Sequence, residues 1–229
     1  MPLGQTEILL HTFLLAGVIL SFILPLKSGT KKDGRRKFYF YYLIIQLVFL
    51  STVHRVSFMV VACIIMVAGI FEAFKLKGNW LDKAGILFFI ILFILFSLKT
   101  PLDQVRMLYL VVVVFDYWSE VGGRFWGTRK LLPDLSPGKT VNGLLSGITA
   151  VFLLTITYSQ LHKLNLSSWL PFFMLWVTAF AGDVLASWIK RRNGIKDYSS
   201  LLPAQGGFLD RFDSLIFSAA TWLLISPLF

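Results

Sequence analysis

The sequence has few charged residues and almost no cysteine. Charged residues make up 15% of its 229 residues and hydrophobic ones 56%, a balance well outside that of a soluble globular domain. The single cysteine, Cys63, lies inside an apolar run, so it can build neither a disulfide framework nor a zinc cluster. The three histidines have no ligand-like spacing. Neither residue type therefore predicts a metal site.

Long apolar runs, by contrast, recur along the whole chain. A bilayer core roughly 30 Å thick takes about 20 apolar residues per helix, because lipid offers no partners for unpaired backbone groups. We therefore predict an all-α integral membrane protein with about eight transmembrane helices, forming a single membrane domain over residues 1–229. The predicted spans are residues 8–26, 38–53, 56–74, 84–98, a weaker run that ends at residue 118, 141–159, 168–189 and 212–229.

The fifth span is the weakest of the eight. Extending it back to residue 102 includes Asp103, Gln104 and Arg106, which are costly in lipid. We therefore expect this span to be tilted, broken or partly sheltered by protein. In the sixth span, Gly143 and Gly147 are four residues apart, which predicts close packing against another helix.

The basic residues alternate between connections. Odd-numbered connections hold 18 of the 22 Lys and Arg residues, so the positive-inside rule places them in the cytoplasm and both termini outside. The most basic connection, residues 27–37, is interpreted as an orientation signal near anionic headgroups. The membrane thereby explains the net charge of +10, and we expect no nucleic-acid partner. The first span precedes no small-residue cleavage site, and we expect it to be retained.

Acidic residues are concentrated toward the C-terminal end, where seven of the twelve follow residue 115. Asp183 lies within the seventh span, where a carboxylate costs roughly 2.5 to 3.5 kcal/mol on insertion scales. It should therefore face a polar cavity, a cation or a structural partner such as an arginine. Ser187 and Lys190 or Arg191 follow it at helical spacing and share its face, which points toward the next connection.

That connection, KRRNGIKDYSSLLPAQGGFLDRFDS, mixes basic and acidic residues. Gly206 and Gly207 permit close approach of the backbone. Asp210 and Asp213 are three residues apart at the start of the eighth helix, where both could bind one divalent cation. Hard oxygen ligands beside lysines and arginines are what a Mg²⁺-bound nucleoside triphosphate requires.

The fifth connection is rich in glycine and basic residues. Its SPGKT segment ends like a Walker A motif, but that motif requires glycine where this chain has Pro133, so we reject it. A glycine-rich basic loop can still hold phosphates through backbone donors and side-chain cations. The residues concerned are Gly122, Gly123, Gly127, Arg124, Lys130 and Lys139.

Together, the two connections resemble the phosphatidate cytidylyltransferases, also called CDP-diacylglycerol synthases. SWIKRRNGIKDYSSLLPAQGGFLDRFDS is similar to the signature of that family at Ser187, Lys190, Arg191, Lys196, Asp197, Gly206, Gly207, Asp210, Arg211 and Asp213. The upstream connection is similar at Asp116, Gly123, Arg124, Gly127, Ser136, Pro137, Lys139, Thr140 and Gly143. By this resemblance residues 108–229 form a cytidylyltransferase-like catalytic portion, and residues 1–107 form helices with little motif content.

Two positions depart from the family pattern. The family usually has His where this chain has Gln205, and Glu where it has Asn142. Glutamine cannot carry a proton at neutral pH, and asparagine lacks the carboxylate charge. A related lipid phosphate substrate and a relative of weakened activity therefore stay open as alternatives.

The resemblance implies that the phosphate of phosphatidic acid attacks the α-phosphorus of CTP, which gives CDP-diacylglycerol and pyrophosphate. It implies Mg²⁺, with a monovalent cation such as K⁺ as a second ion, and a homodimer. A polar catalytic cavity on the cytoplasmic side would admit CTP from water and the lipid from the bilayer. The expected location is a bacterial cytoplasmic (inner) membrane.

The charges, their positions and the resemblance together assign roles to individual residues. The expected catalytic residues are Asp183, Lys190, Arg191, Lys196, Asp210 and Asp213. The expected metal ligands are Asp116, Asp183, Asp210 and Asp213. The expected substrate-binding residues are Arg124, Ser136, Lys139, Thr140, Ser187, Asp197, Gln205, Gly206, Gly207 and Arg211.

Two competing functions come from other classes. CTP-dependent polyprenol kinases share a broadly similar loop but transfer the γ-phosphate to an alcohol. A cation-coupled transporter would also place acids such as Asp116 and Asp183 at membrane depth. The clustering of acids with basic residues on one side favours the enzyme, because a transport path would also place polar groups toward the outside.

Overall fold

The computed structural model describes residues 3–23, 42–163, 165, 169–202 and 206–226. Gln205 and the basic connection at residues 27–37 lie outside these ranges. The described helices are α1 (Leu3–Ile23), α2 (Tyr42–Ser51), α3 (Arg55–Lys75), α4 (Trp80–Lys99), α5 (Leu102–Trp126), α6 (Val141–His162), α7 (Leu170–Arg192) and α8 (Leu209–Ile225). Two short strands, β1 (Lys130–Leu132) and β2 (Ser136–Thr140), lie between α5 and α6.

Each of the eight predicted runs overlaps one of these helices, which confirms the all-α class. Four of the described helices, α3, α4, α6 and α7, are long and apolar enough to cross a membrane. Their outward faces carry large exposed apolar side chains, such as Val67 on α3 and Ile91 on α4. In water such surfaces would be costly, so they support a multi-pass membrane protein.

Helix α5 lies at the centre of the molecule, where it packs against α1, α6, α7 and α8. Leu108, Leu110 and Val111 are fully buried there although they point in different directions from the helix axis. Arg106 donates hydrogen bonds to the carbonyl oxygen of Thr52 and to Asp103. Shelter by protein, one of the three predicted alternatives, therefore explains why the fifth run is weakly apolar.

The predicted end of this helix was wrong. It continues eight residues beyond residue 118 and includes Gly122 and Gly123, which were expected in a phosphate-holding loop. A Cβ on Gly122 would collide with Ser146 of α6, and one on Gly143 would lie 2.6 Å from the carbonyl oxygen of Ser119. These glycines allow α5 and α6 to approach closely, which confirms the packing predicted for Gly143 and corrects the interpretation of Gly122 and Gly123 as a loop.

The chain between α5 and α6 forms a small antiparallel hairpin that the sequence did not predict. Its turn contains Pro133 and Asp134, residue types that favour turns. Lys130 pairs with Thr140 across the hairpin. The hydroxyl of Thr140 then accepts a hydrogen bond from the N–H of Gly143 at 3.1 Å, which caps α6. The hairpin thereby holds Lys139 next to the helices.

Candidate active site

Six charged side chains predicted from the sequence lie near one another where α5, β2, α7 and α8 meet. We refer to them as the carboxylate–lysine cluster. They are Asp116 of α5, Lys139 of β2, Asp183 and Lys190 of α7, and Asp210 and Asp213 of α8.

Lys139 joins the hairpin to α7. Its Nζ lies 2.5 Å from Oδ2 of Asp183 and 5.0 Å from the centre of the Phe180 ring. The contact is an ion pair. The intramembrane acid predicted to need a cation or a partner therefore has a lysine, rather than an arginine, beside it.

Lys190 lies between two carboxylates of α8. Its Nζ is 2.7 Å from Oδ1 of Asp210 and 4.0 Å from Oδ2 of Asp213. It also lies 5.3 Å from the centre of the Tyr198 ring, and the residue is only 8% exposed. Two carboxylates and an aromatic face thus surround the ammonium group of this buried lysine in place of water.

The carboxylate of Asp210 accepts from three donors. Oδ1 accepts from Lys190, and Oδ2 accepts from the backbone N–H groups of Tyr198 at 2.9 Å and Gly207 at 2.8 Å. The side chain is 1% exposed. Asp210 thus ties the middle of the connection between α7 and α8 to its C-terminal end, and the three donors orient its carboxylate.

Asp116 and Asp213 complete the cluster from α5 and α8. The charges of Asp183, Asp213 and Lys139 all act on the carboxylate of Asp116. Oδ1 of Asp213 accepts from the N–H of Ser214 at 2.8 Å. Three carboxylates of different helices are therefore near enough to repel one another, and cations stabilise such an arrangement.

Tyr198 contributes a neutral hydroxyl beside the cluster. Burial raises the pKa of Tyr198 well above its usual value, and the charges of Asp213 and Asp210 raise it further. Because the phenol stays protonated at neutral pH, it cannot act as a base there.

The other predicted residues have contacts and exposures of their own. Arg191 is exposed and donates to the carbonyl oxygen of Ile195, while Arg124 is exposed and pairs with Glu120 on α5. Lys196 and Asp197 are also exposed. Ser136 and Thr140 belong to β2, Ser187 is buried on α7, and Arg211 is half-buried in the first turn of α8.

The two adjacent glycines before α8 are explained by two carboxylates of the chain itself. Gly206 has a φ of 86°, which favours glycine, and a Cβ there would lie 2.9 Å from Oδ2 of Asp210. A Cβ on Gly207 would lie 2.5 Å from Oε1 of Glu72. The close backbone approach predicted at Gly206 and Gly207 is therefore made to Asp210 and Glu72.

Two buried acids of α3 and α4 were missed by the sequence reasoning. Glu72 contacts the start of α8, and Asp82 contacts the end of α7, where Asn193 Nδ2 donates to it at 2.9 Å. Glu72 lies inside the apolar run of residues 56–74, so the criterion that singled out Asp183 applied equally to it.

A small pocket of about 50 Å³ lies between α4, α7 and α8. Asp213 and Tyr198 are among its lining residues, and the rest of the lining is apolar, including Phe89, Leu185 and Ile216. The pocket therefore brings an apolar surface next to one carboxylate of the cluster.

The donor set of the cluster fits Mg²⁺ bound to a nucleotide. Among the described ranges, no three acidic, histidine or cysteine side chains are placed to enclose a metal ion. Mg²⁺ in nucleotide sites is usually held by one or two carboxylates together with substrate phosphates and water. Asp183 and Asp213, which interact electrostatically, supply hard oxygen atoms of that kind.

Comparison with known proteins gives concordant matches. Residues 10–229 match the model of a family described as the Cytidylyltransferase family. The chain is 35% identical to a phosphatidate cytidylyltransferase of Aquifex aeolicus over 156 residues, which are 65% of this chain and 58% of the relative. It is 35% identical to one of Bacillus subtilis over 124 residues, which are 51% of this chain and 46% of the relative.

A further relative carries no function in its name. The uncharacterized protein YnbB of Escherichia coli is 43% identical over 106 residues, which are 45% of this chain and 36% of the relative. The chain therefore spans about half the length of the curated relatives it matches.

Proposed function

The chain belongs to the cytidylyltransferase family, and from this membership and the geometry of the cluster we propose that it converts CTP and phosphatidic acid to CDP-diacylglycerol and pyrophosphate. The observation that carries the proposal is the carboxylate–lysine cluster, in which two lysines and four carboxylates of four elements lie together. Relatives named phosphatidate cytidylyltransferase support the choice of lipid.

The reaction makes one bond and breaks one. An oxygen of the lipid phosphate attacks the α-phosphorus of CTP, and the bond from that phosphorus to the oxygen bridging to the β-phosphate breaks, releasing pyrophosphate. A phosphate monoester is largely dianionic at neutral pH, so the attack needs little help from a general base. The protein's contribution is to align two polyanions and to stabilise the charge that grows on pyrophosphate.

The lysines of the cluster supply that stabilisation. Lys139 and Lys190 are each paired with a carboxylate, and a triphosphate entering the cluster would compete for both ammonium groups. Three further basic residues are assigned to the phosphates of the substrates. They are Arg191 in the last turn of α7, Lys196 between α7 and α8, and Arg211 in the first turn of α8. Asp183 and Asp213, with Asp116 and Asp210 beside them, would hold Mg²⁺, which neutralises phosphate charge and polarises the reacting phosphoryl group.

The membrane placement is part of the same proposal. Eight spans with both termini outside would put the cluster on the cytoplasmic side, where CTP is available. The apolar pocket beside Asp213 suits the part of a lipid next to its headgroup, because a chain lying there would leave its phosphate near the cluster. Residues 108–229 form the catalytic portion of a bacterial inner-membrane enzyme, with K⁺ as a second ion and a homodimer as the assembly to be tested.

The test is lipid analysis after incubation of purified protein with CTP, Mg²⁺ and phosphatidic acid. We expect CDP-diacylglycerol by mass spectrometry, and we expect Asp213→Asn to abolish it because a carboxylate of the cluster is lost. Asp134→Asn is the matched control, since Asp134 is exposed in the hairpin turn and should retain full activity. Normal Mg²⁺-dependent product formation by Asp213→Asn would refute the metal assignment.

A further inference from the structure

Helix α8, which carries Asp210 and Asp213, begins without a cap from its own sequence. The N-cap residue is Phe208, whose side chain makes no capping hydrogen bond. The first N–H groups of a helix have no partner within the helix, and burying them unpaired is costly. The partners of the amides of Phe208 and Leu209 come instead from a distant part of the chain.

Glu72 of α3 supplies these partners. Its Oε1 accepts from the N–H of Phe208 at 2.9 Å, and its Oε2 accepts from the N–H of Leu209 at 2.8 Å. The hydroxyl of Ser199 donates to Oε1 at 2.5 Å. Glu72 is fully buried, so its charge is stabilised by these three donors and by the positive end of the α8 dipole.

These contacts tie α3 to the middle of the connection between α7 and α8 and to the start of α8. Ser199 is adjacent to Tyr198, whose N–H donates a hydrogen bond to Asp210. A side chain at position 207 would collide with the carboxylate of Glu72, so Gly207 allows the close contact. Movement of the start of α8 would therefore shift Asp210 and Asp213 away from Lys190, which is 2.7 Å from one and 4.0 Å from the other.

We infer that Glu72 is a positioning residue for the cytidylyltransferase reaction, because its carboxylate fixes the N-terminus of α8 and with it the Asp210 and Asp213 side chains opposite Lys190. The inference rests on the proposed function for its catalytic consequence. The negative charge matters as well as the shape. Glutamine has the same size, but its amide nitrogen would face a backbone N–H donor and leave that donor unpaired.

The test compares purified Glu72→Gln with the wild type and with Glu7→Gln. Glu7 is a partly exposed acid of α1 that lies near His11, so it gives the same chemical change away from the site. We expect Glu72→Gln to raise the Mg²⁺ concentration for half-maximal activity by about 10- to 100-fold, the usual cost of losing a residue that orients metal ligands. Glu7→Gln should not change it.

A second measurement does not depend on activity. Hydrogen exchange of the peptide containing Phe208 and Leu209, followed by mass spectrometry, should be faster in Glu72→Gln than in Glu7→Gln, because two amides lose acceptors. If the wild type makes no CDP-lipid, the proposed function fails, while faster exchange would still support the anchoring role. Folded Glu72→Gln with wild-type exchange and wild-type Mg²⁺ dependence would overturn the inference.

Ser199→Ala is the second variant, for use if Glu72→Gln does not fold. It removes one of the three donors to Glu72 and leaves α8 and the carboxylate intact. We expect a shift in the same direction of about 2- to 10-fold, the range of one hydrogen bond. A folded Ser199→Ala protein with unchanged Mg²⁺ dependence and unchanged exchange at Phe208 and Leu209 would also overturn the inference.

Discussion

The ion pair between Lys190 and Asp210 allows a quantitative test of the cluster. Both groups are buried, at 8% exposure for each residue, and they are 2.7 Å apart. Removing one partner of a buried pair typically costs 3 to 5 kcal/mol, because the other charge is left without compensation. For Asp210→Asn we expect the free energy of unfolding to fall by about 3 kcal/mol. This value is at the low end of the range because Asp213 remains 4.0 Å from Lys190.

Replacing the lysine instead of the aspartate should destabilise the protein less. In Lys190→Met, Asp210 keeps two backbone N–H donors, and we expect a loss of about 2 kcal/mol in the free energy of unfolding. The double variant contains neither charge, so it should be only about 3 kcal/mol less stable than the wild type, which gives a coupling of about 2 kcal/mol between the two sites.

Unfolding by sodium dodecyl sulfate in mixed micelles, followed by tryptophan fluorescence, measures these differences. Trp222 of α8 is buried and reports on the relevant helix. Glu120→Gln is the control, because its pair with Arg124 is exposed and should contribute less than about 1 kcal/mol. If the stability losses of the two single variants summed to that of the double variant within about 0.5 kcal/mol, Lys190 and Asp210 would not be coupled. That result would refute the buried ion pair.

Two further changes test the surroundings of the site. Asp82→Asn should cost about 1 to 2 kcal/mol in the same unfolding assay, because the buried carboxylate accepts from Asn193 and lies near Arg192; a change indistinguishable from zero would contradict this contact. Gly206→Ala should cost about 1 to 3 kcal/mol and lower activity, since φ is 86° and the added Cβ would press on Asp210. Gly138→Ala, where the added Cβ meets nothing within 4 Å, is its control and should be nearly neutral, and equal effects would refute the strain argument.

The sequence predicted the helices and most of the cluster for reasons that are local. Apolar runs of span length recur between basic connections. Asp183 and Lys190 recur at helical spacing within one predicted span, and Asp210 and Asp213 do so at the start of the next. Asp183 drew attention because a charge in an apolar run needs a partner. The identity of that partner, Lys139, could not be read from the sequence, because the hairpin that carries Lys139 is placed by tertiary packing.

What the sequence did not predict depends on contacts between distant residues. Glu72 and Ser199 are 127 positions apart, and no local pattern joins them. Gly122 and Gly123 lower helix propensity, which favoured a loop there. In the structure their lack of side chains allows α5 to pack against Ser146 and Gly143 of α6, and this packing outweighs the local preference.

The fate of the α- and γ-phosphates of CTP tests the central claim most directly. Wild-type protein is incubated with Mg²⁺, phosphatidic acid and CTP labelled with radioactive phosphorus at either the α- or the γ-position. The account predicts α-label in the lipid fraction and γ-label in pyrophosphate. Transfer of γ-label into lipid would indicate a kinase, and ion-dependent uptake by proteoliposomes without any labelled lipid would indicate a transporter; either result would contradict the account.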